Sequence, residues 1–136
     1  MKILGIDFGE RRIGLAHANS EIKMAFPREG IDTKEVDPIL HICELIKKER
    51  FQKVVLGLPS NPDGSLHEKE KPIRAFSEEL RNRTSIEIHF QDEAFSTVRA
   101  KEATAHFSKK KKQEDKKSLD SAAASIILQD FLEEHS

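Results

Sequence analysis

The sequence predicts an α/β fold: a mixed five-stranded sheet flanked by helices, with strands one to three an antiparallel meander and the later strands parallel. Three observations predict it. The first 26 residues hold three β-favouring runs too close together to enclose a helix, so they pair as neighbours. After them, stretches of helical periodicity alternate with short apolar runs, the pattern of parallel strands joined by crossovers. The chain has 136 residues with no internal repeat and no Pro/Gly/Ser-rich linker, which is the length of one domain with its own core.

Residues 2–8 (KILGIDF) are almost all apolar and suit a central strand buried on both faces. Gly9-Glu10 reads as a turn and Arg12 to Ala18 as the second strand. Ile22, Met24 and Phe26 alternate with Lys23 and Ala25 as the third, which Pro27 is expected to stop. Asp37-Pro38 has the form of a helix N-cap followed by proline at the first helical position. Ile39, Leu40, Cys43 and Ile46 are expected on the buried face of that helix. Val54 to Leu58 forms a short buried strand, and 59–67 (PSNPDGSLH) a loop whose Pro-Asp-Gly favours a tight turn. Ile73, Phe76 and Leu80 mark a second helix, and Ile86, Ile88 and Phe90 a fifth strand. Ser96 or Thr97 caps a third helix bearing Ala100, Ala103 and Phe107. Lys109 to Lys117 reads as a charged loop, and Ser118 caps a last helix running to about Glu134.

Composition excludes several chemistries. Cys43 is the single cysteine, so there is no internal disulfide and no Cys-rich zinc site. With no Tyr and no Trp there is no covalent tyrosine nucleophile, and only eight Phe remain for stacking on bases. The longest apolar run, Ala122 to Leu128, is far short of the roughly 20 residues of a membrane span. The apolar start MKILGIDFG carries an Asp that a signal peptide would not. A soluble cytoplasmic protein with no membrane partner is expected. The net charge of -1 argues at first against a nucleic-acid partner. It hides a segregation, however. Arg99 to Lys117 carries a net +5, and the other 117 residues carry -6.

Three acidic positions stand in apolar surroundings. Asp7 ends the most apolar strand, on the pleat face of Ile3 and Gly5. Asp92 and Glu93 follow the fifth strand. Asp120 falls inside an apolar helical arc made by Leu119, Ala123, Ile126, Ile127, Leu128 and Phe131. An Asp in a first helical turn gains from the helix dipole, but that does not explain why it faces a core. A buried carboxylate needs a partner or takes up a proton. Inward-facing acids from a strand and a helix, with an acidic pair at a further strand end, suggest a shared cation. All-oxygen ligands suit Mg²⁺ or Mn²⁺. The six histidines show no close ligand spacing.

Four segments, in order, resemble the YqgF/RuvX proteins, a branch of the RNase H-like, Holliday-junction-resolvase-like superfamily. They are Asp7-Phe-Gly-Glu-Arg-Arg-Ile-Gly-Leu-Ala16, Val55-Leu-Gly-Leu-Pro-Ser-Asn-Pro-Asp-Gly64, Asp92-Glu-Ala-Phe-Ser-Thr97, and Leu119-Asp-Ser-Ala-Ala-Ala continuing to Gln129. The resemblance covers essentially the whole chain. It implies an RNase H-like fold, with Asp7, one of Asp92/Glu93, and Asp120 as the metal-binding and catalytic acids. It also implies a nuclease that processes the 5′ end of pre-16S ribosomal RNA, with Holliday-junction resolution in DNA as the alternative. On this basis two Mg²⁺ ions, bridged by Asp7, would activate a water for in-line attack on a phosphodiester. RNA is the favoured partner and structured DNA the other, with the chain acting as monomer or homodimer. One departure stands out: the family commonly reads Asp-Glu-Arg after the fifth strand, and here Ala94 replaces the arginine and its fork of donors.

Around these acids the substrate-binding candidates are Arg11 and Arg12 in the first hairpin, Asn61 in the 59–67 loop, and Lys109, Lys110, Lys111 and Lys112. The lysines lead straight into the helix carrying Asp120, so a phosphate-backbone grip is expected of them. A non-catalytic RNA-binding or ribosome-assembly module on the same fold is a second reading, which Ala94 favours and the acids oppose. An ATP-handling protein of the actin and sugar-kinase type shares the Asp-x-Gly start but needs two such domains and a far longer chain.

Overall fold

The computed structural model describes residues 1–59, 68–92 and 115–135, the last stretch with side chains from Ser121 onward. Strands β1 (Lys2–Asp7), β2 (Arg12–Asn19), β3 (Met24–Asp32), β4 (Lys53–Leu58) and β5 (Glu87–Asp92) form one sheet in the order β3-β2-β1-β4-β5. β1 pairs antiparallel with β2, and β2 with β3, while β1–β4 and β4–β5 are parallel. The meander and the parallel half are therefore as the sequence pattern predicts. Helices α1 (Pro38–Glu49), α2 (Glu70–Thr84) and α3 (Asp115–Glu134) complete the described elements.

β1 is central because both of its faces are apolar. Leu4 and Ile6 join Ile39, Ile42 and Ile46 of α1 and Ile73, Phe76 and Leu80 of α2 in one core. Ile3, on the alternate face, joins Val55 and the α3 residues Ala124, Ile127, Leu128, Phe131 and Leu132 in the other. α1 and α2 thus cover one face and α3 the other. Asp37 caps α1 as expected, its carboxylate accepting from the Ile39 and Leu40 amides at 3.0 and 3.3 Å. Among the described residues no helix is long and apolar enough to cross a membrane.

Four local expectations are corrected. β3 does not stop at Pro27 but runs on to Asp32. It is an edge strand, and the Ala25 N–H points away from β2 to the Gln129 Oε1 at 2.9 Å. Two residues on, the Pro27 nitrogen faces the same open side, where a missing N–H breaks no ladder bond. Ile22 lies in the turn before β3, beside Lys23 at φ 60°, not in the strand. Leu40 is 52% exposed, and Ile42 takes its place on the buried face of α1. Finally, α3 begins at Asp115, so Ser118 lies within the helix and Lys116 and Lys117 belong to its first turn. The helix expected near 97–107 lies outside the described residues.

Candidate active site at the carboxyl end of the sheet

Because β1, β4 and β5 are parallel, their carboxyl ends share one rim of the sheet. Asp7 ends β1 and Asp92 ends β5. Ile3, Gly5 and Asp7 alternate onto the α3 face. At Gly5 a Cβ would lie 2.9 Å from the Leu128 Cβ and 3.2 Å from the Ala124 carbonyl, so α3 rests directly on β1 there. The direction of α3 follows from two neighbours. Gln129 bonds Ala25, which is level through Ala18 with Ile3. Ser121 lies 3.4 Å from where a Gly30 Cβ would stand, beside Ile13 and level with Asp7. α3 therefore runs against β1, and its N-terminal turns, with the backbone of Asp120, reach the end of the strand that carries Asp7. Two strand residues advance about 6.6 Å, and the four helix residues from Ala124 back to Asp120 about 6 Å.

Asp92 sits differently. Gln91 donates to Glu134 of α3 at 3.0 Å, and Ile88 belongs to the α1/α2 core. The pleat thus puts Gln91 on the face of Asp7, and exposed Asp92 on the opposite face. Arg12 alternates with Gly14 and Ala16 onto the α3 face, one hairpin step past Asp7. It makes no ion pair among the described residues. Arg11 does: its Nε and Nη2 donate to the two oxygens of Asp32 at 3.0 and 3.4 Å. Asp32 is buried and also accepts the Lys34 amide at 2.9 Å. Thr33 Oγ1 donates to the carbonyls of Glu10 and Arg11 at 2.7 and 3.0 Å. The turn after Asp7 is thereby fastened to the end of β3. A Cβ on Gly9 would meet the Arg12 carbonyl at 2.4 Å, so only glycine fits that turn. Beyond Asp7, on the α2 side, a cavity of about 460 Å³ is lined by Phe8, Gly9, Glu10, Glu68, Lys69, Pro72 and Ile73.

The structure therefore brings Asp7, Arg12 and the N-terminal turns of α3 to one face of one rim, and separates Asp92 from them. Asn61, Glu93, Lys109, Lys110, Lys111 and Lys112 lie outside the described residues, as does the side chain of Asp120. Among the described residues no three His, Cys, Asp or Glu side chains cluster closely enough to hold a metal ion. Asp7 would contribute a carboxylate, and the donors expected beside it are carboxylates as well, a set that suits Mg²⁺ or Mn²⁺. Sequence reasoning missed Asp32. Its signal, an acid before Thr33-Lys34, was obscured by ending the third strand at Pro27.

A family model described as RuvX, Holliday junction resolvase, matches residues 1–134. The chain belongs to the RuvX family. Relatives named "Putative pre-16S rRNA nuclease" include one from Maridesulfovibrio salexigens, 36% identical over 97% of this chain and 98% of its own length. One from Bacillus mycoides is 33% identical over 98% of both chains. Among solved structures, Thermus thermophilus RuvC superposes with a TM-score of 0.60 at 15% identity, over 99% of this chain and 96% of that one. The fowlpox virus Holliday junction resolvase gives 0.58 at 15% identity with full coverage of both. These likenesses show that the RuvX-family sheet and helices are those of the RuvC-type, RNase H-like fold.

Proposed function

We propose that this chain is a metal-dependent nuclease that hydrolyses phosphodiester bonds and trims the 5′ end of pre-16S ribosomal RNA. The observation that carries the reading is the meeting of Asp7, Arg12 and the N-terminal turns of α3 at one rim of an RNase H-like sheet. The names of its full-length relatives direct it to RNA.

Asp7, Asp120 and one acid after β5 would hold Mg²⁺ or Mn²⁺, singly or as a pair. Glu93 is assigned that third place because Asp92 alternates to the other face. The ion, when bound, supplies positive charge for the scissile phosphate and a water of lowered pKa. The chain's own residues do the rest. Asp7 is held at the strand end by a turn that Gly9, Thr33 and the Arg11–Asp32 pair make rigid. Arg12, which makes no ion pair among the described residues, would offer its cation to a substrate phosphate and take the part of the arginine that Ala94 replaces. Asn61 and the four lysines at 109–112 would grip the backbone away from the reacting bond.

The test is cleavage of a pre-16S fragment with a 5′ extension, and of a four-way DNA junction, with and without Mg²⁺. The RNA is expected to be shortened only with the ion. Asp7→Asn and Asp120→Asn are each expected to lose about 100-fold or more, at the upper end of what loss of a metal-shell partner removes. Equal activity of all three proteins would refute the assignment, and cutting of the junction alone would redirect it to DNA.

A further inference from the structure

We propose that the cavity beside Asp7 is a base-reading subsite that takes a guanine next to the bond to be cut. The inference rests on the nuclease reading of the neighbouring rim and adds a specificity to it. The cavity, of about 460 Å³, falls within the roughly 300–1,000 Å³ of small-molecule clefts. Its apolar walls are Phe8, Pro72 and Ile73. Phe8 is half-buried and packs against buried Phe76, with ring centroids 4.8 Å apart. Phe76 belongs to the core and does not line the cavity, so it backs the Phe8 ring and leaves that ring as the wall. Every base has a π-face that an aromatic wall accepts. Phe8 also follows Asp7 directly, and adjacent Cα atoms lie about 3.8 Å apart. A nucleotide whose phosphate is held at Asp7 therefore has this wall beside it.

Charge selects the ligand. Exposed Glu10, from the turn after β1, and exposed Glu68 and Lys69, from the residues before α2, line the same cavity. Two carboxylates against one ammonium disfavour a phosphate, so the lining suits a base. Among the described residues Glu10 and Glu68 form no ion pair, and no three His, Cys, Asp or Glu cluster to hold a metal ion.

An ionised carboxylate only accepts hydrogen bonds, through two oxygens. Guanine alone among the four bases carries two N–H donors side by side on its Watson–Crick edge, N1–H and the 2-amino group. A carboxylate meets that pair with both oxygens, as it meets the fork of an arginine. Lys69 brings donors for O6 and N7 of the same base, acceptors that lysine commonly contacts. Cytosine and adenine offer a carboxylate one amino group each. Uracil offers a single N–H between two carbonyls that carboxylates repel.

The first test needs no cleavage. Backbone amide shifts of the full chain are followed as guanosine, inosine or adenosine 5′-monophosphate is added without divalent metal. The guanosine nucleotide is expected to move Phe8, Gly9 and Ile73. It should bind about tenfold more tightly than the inosine nucleotide, which lacks the 2-amino group, or the adenosine one, whose edge is reversed. Glu10→Gln/Glu68→Gln should bring the three affinities within about twofold. Its melting temperature should not change, since both side chains are exposed. The second test is Mg²⁺-dependent cleavage of pre-16S fragments that differ only in the nucleotides flanking the cut. A guanine on one side should speed cutting about tenfold in the wild type and not in the double variant. Shifts confined to Arg12 and α3 and equal for all three nucleotides overturn the proposal, as does a guanine preference that survives both substitutions. Cleavage indifferent to the flanking bases overturns it too, while leaving the nuclease reading intact. Guanine-selective binding with no fragment cut supports the subsite and counts against the nuclease.

Discussion

Gly5 shows how much a single residue carries. It lets α3 approach β1 closely enough to bring Asp120 toward Asp7, and an added Cβ would lie 2.9 Å from the Leu128 Cβ and 3.2 Å from a backbone oxygen. Neither neighbour is the free end of a flexible chain. Gly5→Ala is expected to lower unfolding stability by about 1–3 kcal/mol in urea, and to reduce nuclease activity at temperatures where the protein remains folded. His17 makes a pH prediction. Burial, with the Arg28 charge beside it, pushes its pKa below the usual 6.5. The unfolded chain takes up that proton first as pH falls through 6.5, so native stability drops below that point until the folded imidazole protonates as well. Glu49 acts at lower pH. Burial opposes its ionisation, but hydrogen bonding and charge from Arg28, with Lys2, outweigh this and hold it below 4.5. Its contribution is present above that value and is lost as pH falls through the lowered one. His17→Gln should flatten the decline in melting temperature as pH passes below 6.5 and leave the more acidic decline from Glu49 in place. At this scale the sequence was partly legible. Asp7 announced itself as an acid in an apolar run, whereas the Arg11–Asp32 pair joins residues 21 apart and leaves no local pattern.

Elements were legible where their signals are local. The Asp37-Pro38 start of α1 and the alternation of β5 needed only neighbours along the chain. β3 was not legible past Pro27, because a proline is tolerated or not according to which side of the strand is unpaired, and that depends on the edge position of β3. The same edge shows what α3 does beyond covering the sheet. Gln129→Ala removes the partner of the Ala25 N–H and of the Lys23 carbonyl. The expected result is faster amide exchange at Ala25 and a loss of about 1 kcal/mol. Unchanged protection there would show that the side chain does not close the edge. The placement of Asp92 at the end of β5 is likewise set by the strand. Pleat alternation, read from Gln91 on Glu134, separates Asp92 from Asp7, which the sequence alone left undecided.

Across the whole molecule, the order of periodic segments carried the topology, since short connections leave few ways to arrange a meander followed by helix–strand alternation. The convergence of the site was less legible, because the direction of α3 across β1 is set by packing at Gly5, Gly30 and Gln129, not by any motif. Charge is organised at the same scale. The near-zero total conceals a basic segment leading into the helix of Asp120. Replacing Lys109, Lys110, Lys111 and Lys112 by Gln should weaken RNA binding across sequences and flatten the plot of log affinity against log salt by roughly 3, the slope expected for four single-strand phosphate contacts. An unchanged slope would place the phosphate grip elsewhere. The proposed function requires the carboxylates at this rim to form one metal centre. Anomalous diffraction from crystals soaked in Mn²⁺ tests it most directly. A peak is expected about 2.1 Å from carboxylate oxygens of Asp7, Asp120 and Glu93, absent in Asp7→Asn crystals, with Asp92 turned away. A peak bound through Asp92 on the opposite face, or no peak at Asp7, would contradict it.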